Sequence, residues 1–206
     1  AVFHRAVGSK RYRVTAHPEG GHSFSAFGST NAIEVLARLV QDIYALQVPQ
    51  REGSTTTYNV GLMEGGTSVN AIAQRASCAC EFRSDDEACM AQMERSFEEL
   101  FARARARCLS LEVELLGTRP AGKNVPAAAQ AALAEVCVQA VQQAFGTRPQ
   151  LASASTDCYI PLSMGIPSVC FGCREGGGAH TREEWIKPAS LGPGLVAAGL
   201  ALCGLL

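Results

Sequence analysis

Apolar and polar residues alternate through residues 11–16 (RYRVTA), the period of a half-buried strand. A turn-rich stretch, HPEGGHS, follows at residues 17–23. Ile33, Leu36, Ala37, Val40 and Ile43 then recur at helical spacing. Ser29-Thr30-Asn31 offers N-caps to that helix, Glu34 stands where a capping box would reach back to Asn31, and Pro49 closes it. A second alternation over residues 55–63 sets Tyr58, Val60 and Leu62 on one side, before a Gly65-Gly66 turn. A longer one sets Ala76, Cys78, Cys80 and Phe82 against Arg75, Ser77, Glu81 and Arg83. Residues 84–87 (SDDE) read as a capping box for a helix striped by Met90, Met93, Phe97, Leu100, Phe101 and Ala104. A last strand alternates Leu109, Leu111, Val113 and Leu115. Strand, helix, strand, strand, helix, strand is the ferredoxin-like split βαβ order. It spans residues 9–117 and predicts a sheet with helices on one face, the other face open, and edge strands free to pair.

The stretch GTRPAG at residues 117–122 reads as a linker, and residues 118–206 as a second domain. Residues 126–145 predict an alanine-rich helix with Leu133, Val136, Cys137, Ala140 and Val141 inside, stopped at Gly146. Short strands from Leu151 and over residues 168–171, a glycine-dense loop, and a terminal helix over residues 188–206 complete it. That is half an α/β layer and calls for more strands. The fold class is therefore α/β (α+β): a ferredoxin-like βαββαβ domain followed by a partial α/β domain.

Composition narrows the function classes. A net charge of −1 over 206 residues gives no basic excess for nucleic acid and no acidic tail. Arg95, Arg103, Arg105 and Arg107 are spread around their helix, which makes a solvated face. Nine cysteines, an odd and scattered set, point to a reducing cytoplasm over a disulfide framework. The apolar run over residues 191–206 is too short for a membrane span and is broken by Gly192, Pro193, Gly194 and Gly199. The amino end, AVFHRAVGSKRYR, has neither a signal-peptide core nor an initiator Met, so the chain is expected to be a piece or a processed product.

Candidate chemistry centres on residues 165–184, GIPSVCFGCREGGGAHTREE. An apolar run over residues 166–171 leads to a loop in which Gly176, Gly177 and Gly178 lack Cβ atoms and can approach a ligand. The loop ends at His180, with Glu183 and Glu184 beyond. A hydrolytic zinc site needs several ligands and an open position for water. His180 is the one imidazole of this half, and Asp157, Glu183 and Glu184 are the carboxylates that could join it; one ligand does not hold a metal. Cys170-x-x-Cys173 admits a metal or redox reading, but a strand does not curl two cysteines onto one ion, which leaves a core cysteine and a loop cysteine. No Gly-x-Ser-x-Gly elbow supports a serine nucleophile.

Three segments together resemble the co-catalytic zinc exopeptidase and amidohydrolase family, which includes tripeptide aminopeptidase, glutamate carboxypeptidase, acetylornithine deacetylase and aminoacylase. They are GSKRYRVTAHPEGGHSFSAFGSTNA, NVGLMEGGTSVNAIAQRASCACEFRS, and STDCYIPLSMGIPSVCFG with GGGAHTREE. The first is similar to the family's entry into its dimerisation domain. The second is similar to its Gly-Gly-x-x-x-Asn-x-Ile strand pair ending in Asp-x-Arg, with Glu81 in the acidic place. The third is similar to its closing Gly-Ile-Pro…His-Thr-x-x-Glu run.

The resemblance implies a role for each site residue. His180 falls on a ligand of one of the family's two zinc ions, with Gly176, Gly177 and Gly178 lining the substrate pocket beside it. His22 falls where an imidazole reaches across a homodimer to polarise the scissile carbonyl. Asn70 and Arg83 fall where the family holds the substrate's carbonyl and carboxylate. The substrate class implied is a small peptide or N-acyl amino acid, and the homodimer would form through residues 9–117.

The departure from the family is that its His-x-Asp, bridging Asp, Glu-Glu pair and further carboxylate ligand have no counterpart here; Glu183-Glu184 follows the ligand histidine and is not that pair. The expectation is a dimerisation domain plus the carboxyl-terminal part of a zinc metallopeptidase or amidohydrolase, inactive by itself. The alternative is a non-catalytic ferredoxin-like dimerisation or binding module.

Overall fold

The computed structural model describes residues 1–179 and 181–204. Its elements begin with β1 (Val2–Ala6), β2 (Gly8–Ala16), β3 (Gly21–His22), α1 (Ala32–Tyr44) and β4 (Thr56–Gly65). β5 (Ala71–Ile72), β6 (Ala76–Ser84), α2 (Glu87–Arg107) and β7 (Leu111–Arg119) follow. Beyond them come α3 (Ala127–Phe145), β8 (Leu151–Ala154), α4 (Tyr159–Ser163), β9 (Cys170–Phe171), β10 (Gly176–Gly177) and β11 (Trp185–Ile186). A 3-10 turn (Pro188–Ser190) leads into α5 (Leu191–Cys203). Contacts divide the chain into two compact units, Gly8–Arg119 and a second made of Ala1–Val7 with Pro120–Leu206.

The Gly8–Arg119 unit is a four-stranded antiparallel sheet in the order β4-β6-β2-β7, so the first and third strands of the motif are central and the second and fourth are edges. This is the ferredoxin-like arrangement. One face carries Tyr12, Val14, Ala16, Cys78, Cys80 and Phe82 under Val35, Leu36, Leu39 and Ile43 of α1 and Met93, Phe97, Leu100 and Phe101 of α2. The rings of Tyr12, Phe82, Phe97 and Phe101 form one cluster, with Phe82 and Phe97 centroids 4.9 Å apart. Burial pushes the Cys78 and Cys80 thiols up to about 11 and about 12, the latter with help from Cys78, so both behave as small apolar residues. The opposite face carries Arg11, Arg13, Ser77, Glu81, Arg83, Glu112 and Glu114, as strand alternation requires.

Several local expectations change. Leu62 does not face the core with Tyr58 and Val60: a β-bulge at Gly61 turns it outward, opposite Ala79, and it is 70% exposed. Leu109 is not in the last strand; the chain turns at residues 108–110, where Leu111 N–H donates to Cys108 C=O, and β7 starts afterwards. The cap of α2 is Asp86, whose carboxylate accepts from Cys89 N–H at 2.8 Å. Ser84, the first residue of the expected box, is still in β6 and accepts from Asp86 N–H instead. Asn31 caps α1 as expected, but Glu34 pairs with Arg38 and does not reach back.

The second unit contains a three-stranded sheet in the order β8-β1-β9. β1, which no sequence pattern singled out, is its central strand, parallel to β8 and antiparallel to β9. Val2 is fully buried against Cys137, Val138 and Ala140 of α3 and Ala201 of α5. The strand expected over residues 168–171 is reduced to Cys170 and Phe171, both half-buried. Its earlier backbone is occupied: Ser168 N–H donates to Gln130 Oε1 and Ser168 C=O accepts from Gln130 Nε2, each at 2.8 Å. Pro167 has no N–H to offer a ladder.

Candidate functional site

β3 and β5 form a small antiparallel ribbon with Gly21 opposite Ile72 and His22 opposite Ala71. The ribbon leaves the sheet at one end, after Ala16 of β2 and before Ala76 of β6, which are themselves paired. Ser23 N–H donates to Asn70 C=O at 3.0 Å, which ties the two strands beyond the ladder. His22 and Asn70, far apart in sequence, are thereby neighbours, and both are exposed.

Each side chain is oriented by its own neighbour. Phe24 N–H donates to His22 Nδ1 at 3.3 Å. A lone pair at Nδ1 leaves the proton of neutral imidazole on Nε2, so His22 presents a donor outward. Ser68 Oγ donates to Asn70 Oδ1 at 2.8 Å, which leaves the amide N–H groups free to donate. Each residue thus exposes a hydrogen-bond donor of the kind suited to a carbonyl oxygen that gains negative charge, on neighbouring strands of one ribbon. Phe24 and Ser68 are the positioning partners that sequence reasoning missed. Both lie two residues from the side chain they hold, the spacing at which local turns form such bonds.

Arg83 lies elsewhere. It pairs with Ser9 and Thr57 at the other end of the sheet, seven residues along β6 from Ala76. At the rise of a strand that is about 23 Å. Its Nε and Nη2 donate to the two Glu81 oxygens at 2.8 and 3.1 Å, and Arg11 Nε donates to the same carboxylate at 3.0 Å. Hydrogen bonds from Arg83 hold the Glu81 carboxyl below its usual range, against partial burial and with further pull from Arg11. Two guanidinium groups thus share one carboxylate, and Arg83 keeps N–H donors for another acceptor.

The glycine segment is a hairpin. Gly176 pairs with Ile186 and Gly177 with Trp185. A Cβ on Gly176 would lie 2.5 Å from Trp185 C=O, and one on Gly177 2.8 Å from the Trp185 indole nitrogen. Gly178 has φ +66° and its Cβ would meet Glu183 C=O at 2.7 Å. Here the missing side chains let the hairpin close on itself. Thr181 fastens the turn, its N–H and hydroxyl both donating to Gly178 C=O. His180 lies outside the described residues. Among the described residues no three His, Cys, Asp or Glu side chains gather as a metal cage, and all nine cysteines are free.

The peptidase dimerisation domain matches residues 5–107, half of the 206-residue chain. The chain belongs to the peptidase dimerisation-domain family. This is the exopeptidase and amidohydrolase family that the sequence resembles. No curated protein matches the sequence. Among solved structures, the fold is similar to aminopeptidase PepT from Bacillus cereus, with 20% identity, a TM-score of 0.80, and coverage of 99% of this chain and 53% of that one. A tripeptidase from Staphylococcus aureus gives 20% identity and a TM-score of 0.75 over 99% of this chain and 53% of that one. An amidase of the hydantoinase/carbamoylase family from Burkholderia multivorans gives 20% and 0.69 over 97% and 48%. The chain spans about half the length of these relatives.

Proposed function

We propose that this family member is the dimerisation and carboxyl-terminal catalytic portion of a cytoplasmic, metal-dependent hydrolase that cleaves peptide or N-acyl amide bonds of small substrates. The observation that carries the reading is the ribbon whose two strands bring exposed His22 and Asn70 to one end of the sheet, each side chain hydrogen-bonded to a residue two positions away. In this reading His22 Nε2–H donates to the scissile carbonyl as it becomes an oxyanion, a contact of a kind worth roughly 2.7–4 kcal/mol in other hydrolases. Asn70 adds a second donor. Arg83 binds the substrate carboxylate with the N–H groups that Glu81 leaves unused. With about 23 Å of β6 between Ala76 and Arg83, the donors and the guanidinium of one chain serve different substrates, so the chemistry calls for a homodimer paired through residues 9–117.

Zinc is the cofactor of the proposed complete enzyme, where a bound ion supplies water activation at neutral pH. His180 would be the one ligand from this chain, with Gly176, Gly177 and Gly178 lining the pocket beside it. The described residues do not by themselves fit a zinc site. This chain alone is therefore expected to hold zinc weakly and to hydrolyse nothing. Equilibrium dialysis with atomic absorption and a dipeptidase assay test this; stoichiometric zinc together with dipeptide cleavage overturns it. The family match, which lies on the dimerisation domain, also admits a second reading, a dimerisation or binding module without chemistry. Sequencing the reading frame upstream of Ala1 separates the two, because only the hydrolase requires His-x-Asp and Glu-Glu there.

A further inference from the structure

Phe24, Phe27, Val69 and Leu109 are 88%, 91%, 105% and 96% exposed, the four most exposed large apolar side chains among the described residues. They are not scattered. Phe24 and Phe27 sit in the turn after His22, where Phe24 N–H donates to the imidazole and Ala26 N–H donates to His22 C=O. Val69 immediately precedes Asn70, and Leu109 lies in the turn before Leu111, which pairs with Ala16 at the same end of the sheet. Single exposed apolar residues need no explanation, whereas a concentration of them at one end marks a contact surface.

The segments that carry Phe24, Phe27 and Val69 are uncharged. Residues 20–33 contain no Asp, Glu, Lys or Arg, and neither do residues 65–74. The two segments that carry His22 and Asn70 therefore hold only apolar residues, glycine, hydroxyl and amide side chains, and the one imidazole. A wall of that composition gives a charged side chain nothing to pair with and gives an apolar one a place to leave water.

We propose that Phe24 and Phe27 are specificity-determining residues that, in a pair of chains, form the apolar wall of the substrate pocket of the other copy and select an apolar side chain next to the scissile bond. The proposal rests on the reading that His22 acts across the dimer, since Phe24 is bonded to that imidazole and goes where it goes. The second copy is the occupant of this surface, because the matched domain is a dimerisation domain and, in the proposed hydrolase, the imidazole beside Phe24 acts on the partner's substrate.

The test uses the full chain at a concentration where light scattering reports its mass, with N-acetyl-leucine, N-acetylglycine and N-acetylglutamate as probes in saturation-transfer NMR titrations. The dimer is expected to bind N-acetyl-leucine about 10-fold or more tighter than the other two. The Phe24→Ser/Phe27→Ser double variant should bring the three affinities to within about twofold while its circular dichroism stays unchanged, because both side chains are exposed in the single chain. Phe24→Leu/Phe27→Leu should restore the preference. A dimer that shows no leucine preference, no binding of the leucine probe, or an unchanged preference in the serine variant overturns this proposal alone. A monomer at every concentration overturns the reading beneath it.

Discussion

Phe97→Ala offers a direct measure of what holds the dimerisation unit together, with Phe27→Ala as its control. The Phe97 side chain is fully buried, and its ring has Phe82, Phe101 and Tyr12 centroids at 4.9, 5.9 and 6.4 Å. Truncating a buried Phe costs about 3–5 kcal/mol in transfer and cavity terms. The ring contacts it abandons place this site toward the upper part of that range. Against a total of about 5–15 kcal/mol for a domain, this is a large fraction. With a urea slope of ~2 kcal/mol per M, a loss of about 4 kcal/mol lowers the unfolding midpoint by about 2 M. Phe27 is 91% exposed, so its truncation should stay within about 0.5 kcal/mol. Urea titrations followed by far-UV circular dichroism, run on both variants, read this directly. Similar midpoints for the two variants would refute the placement of Phe97 at the centre of the core.

Four further outcomes are expected. Asp86→Ala, which removes the α2 cap held to Cys89 N–H, should cost about 1 kcal/mol in thermal or urea unfolding, and Asp86→Asn should recover most of it. Glu81 has its carboxyl pKa depressed in the folded chain, so its contribution is complete above its unfolded value and fades as pH falls through the folded one. Glu81→Gln should accordingly flatten the acid limb of a stability–pH curve below about pH 4.5, and an unchanged limb would contradict the Arg83 and Arg11 pairing. Gly177→Ala should displace the Trp185 ring, which lies where the new Cβ would go; because Trp185 is the one tryptophan, its emission maximum and iodide quenching report the change. Light scattering at high micromolar concentration should give a dimer, and a monomer there would count against pairing through residues 9–117.

The ferredoxin-like unit was legible because its strands alternate cleanly and its helices carry a single apolar stripe. Tyr12, Val14, Cys78, Phe82, Met93 and Phe97 were all readable as inward positions from period alone. What period could not show was a change of phase. The bulge at Gly61 inverts Leu62, and nothing in an alternating string marks where one residue is to be skipped. β1 escaped for another reason: VFHRA has one fully buried side chain of any size, Val2, and its identity as a central strand depends on β8 and β9, which lie far along the chain. The strand expected at residues 168–171 shrank because a single side chain, Gln130, bonds its backbone from 38 residues away.

The candidate site divides along the same line. His22, Asn70 and Arg83 could be nominated from residue type and resemblance, since each is a polar side chain in a turn or at a strand end. Their partition could not. It follows from pairing: Ala16 opposite Ala76 sends both the His22 and Asn70 segments off one end, while Ser9 opposite Arg83 holds the guanidinium at the other. A one-residue slip between β2 and β6 would leave that partition intact but turn Arg83 from the open face to the helix side, where the core leaves no room for it. Register therefore fixes the face of Arg83, and topology fixes its distance from the imidazole. In the proposed hydrolase that distance is what makes the partner copy necessary: no rotamer of Arg83 or His22 spans about 23 Å, whereas two units with their sheet ends opposed bring one chain's donors toward the other's guanidinium.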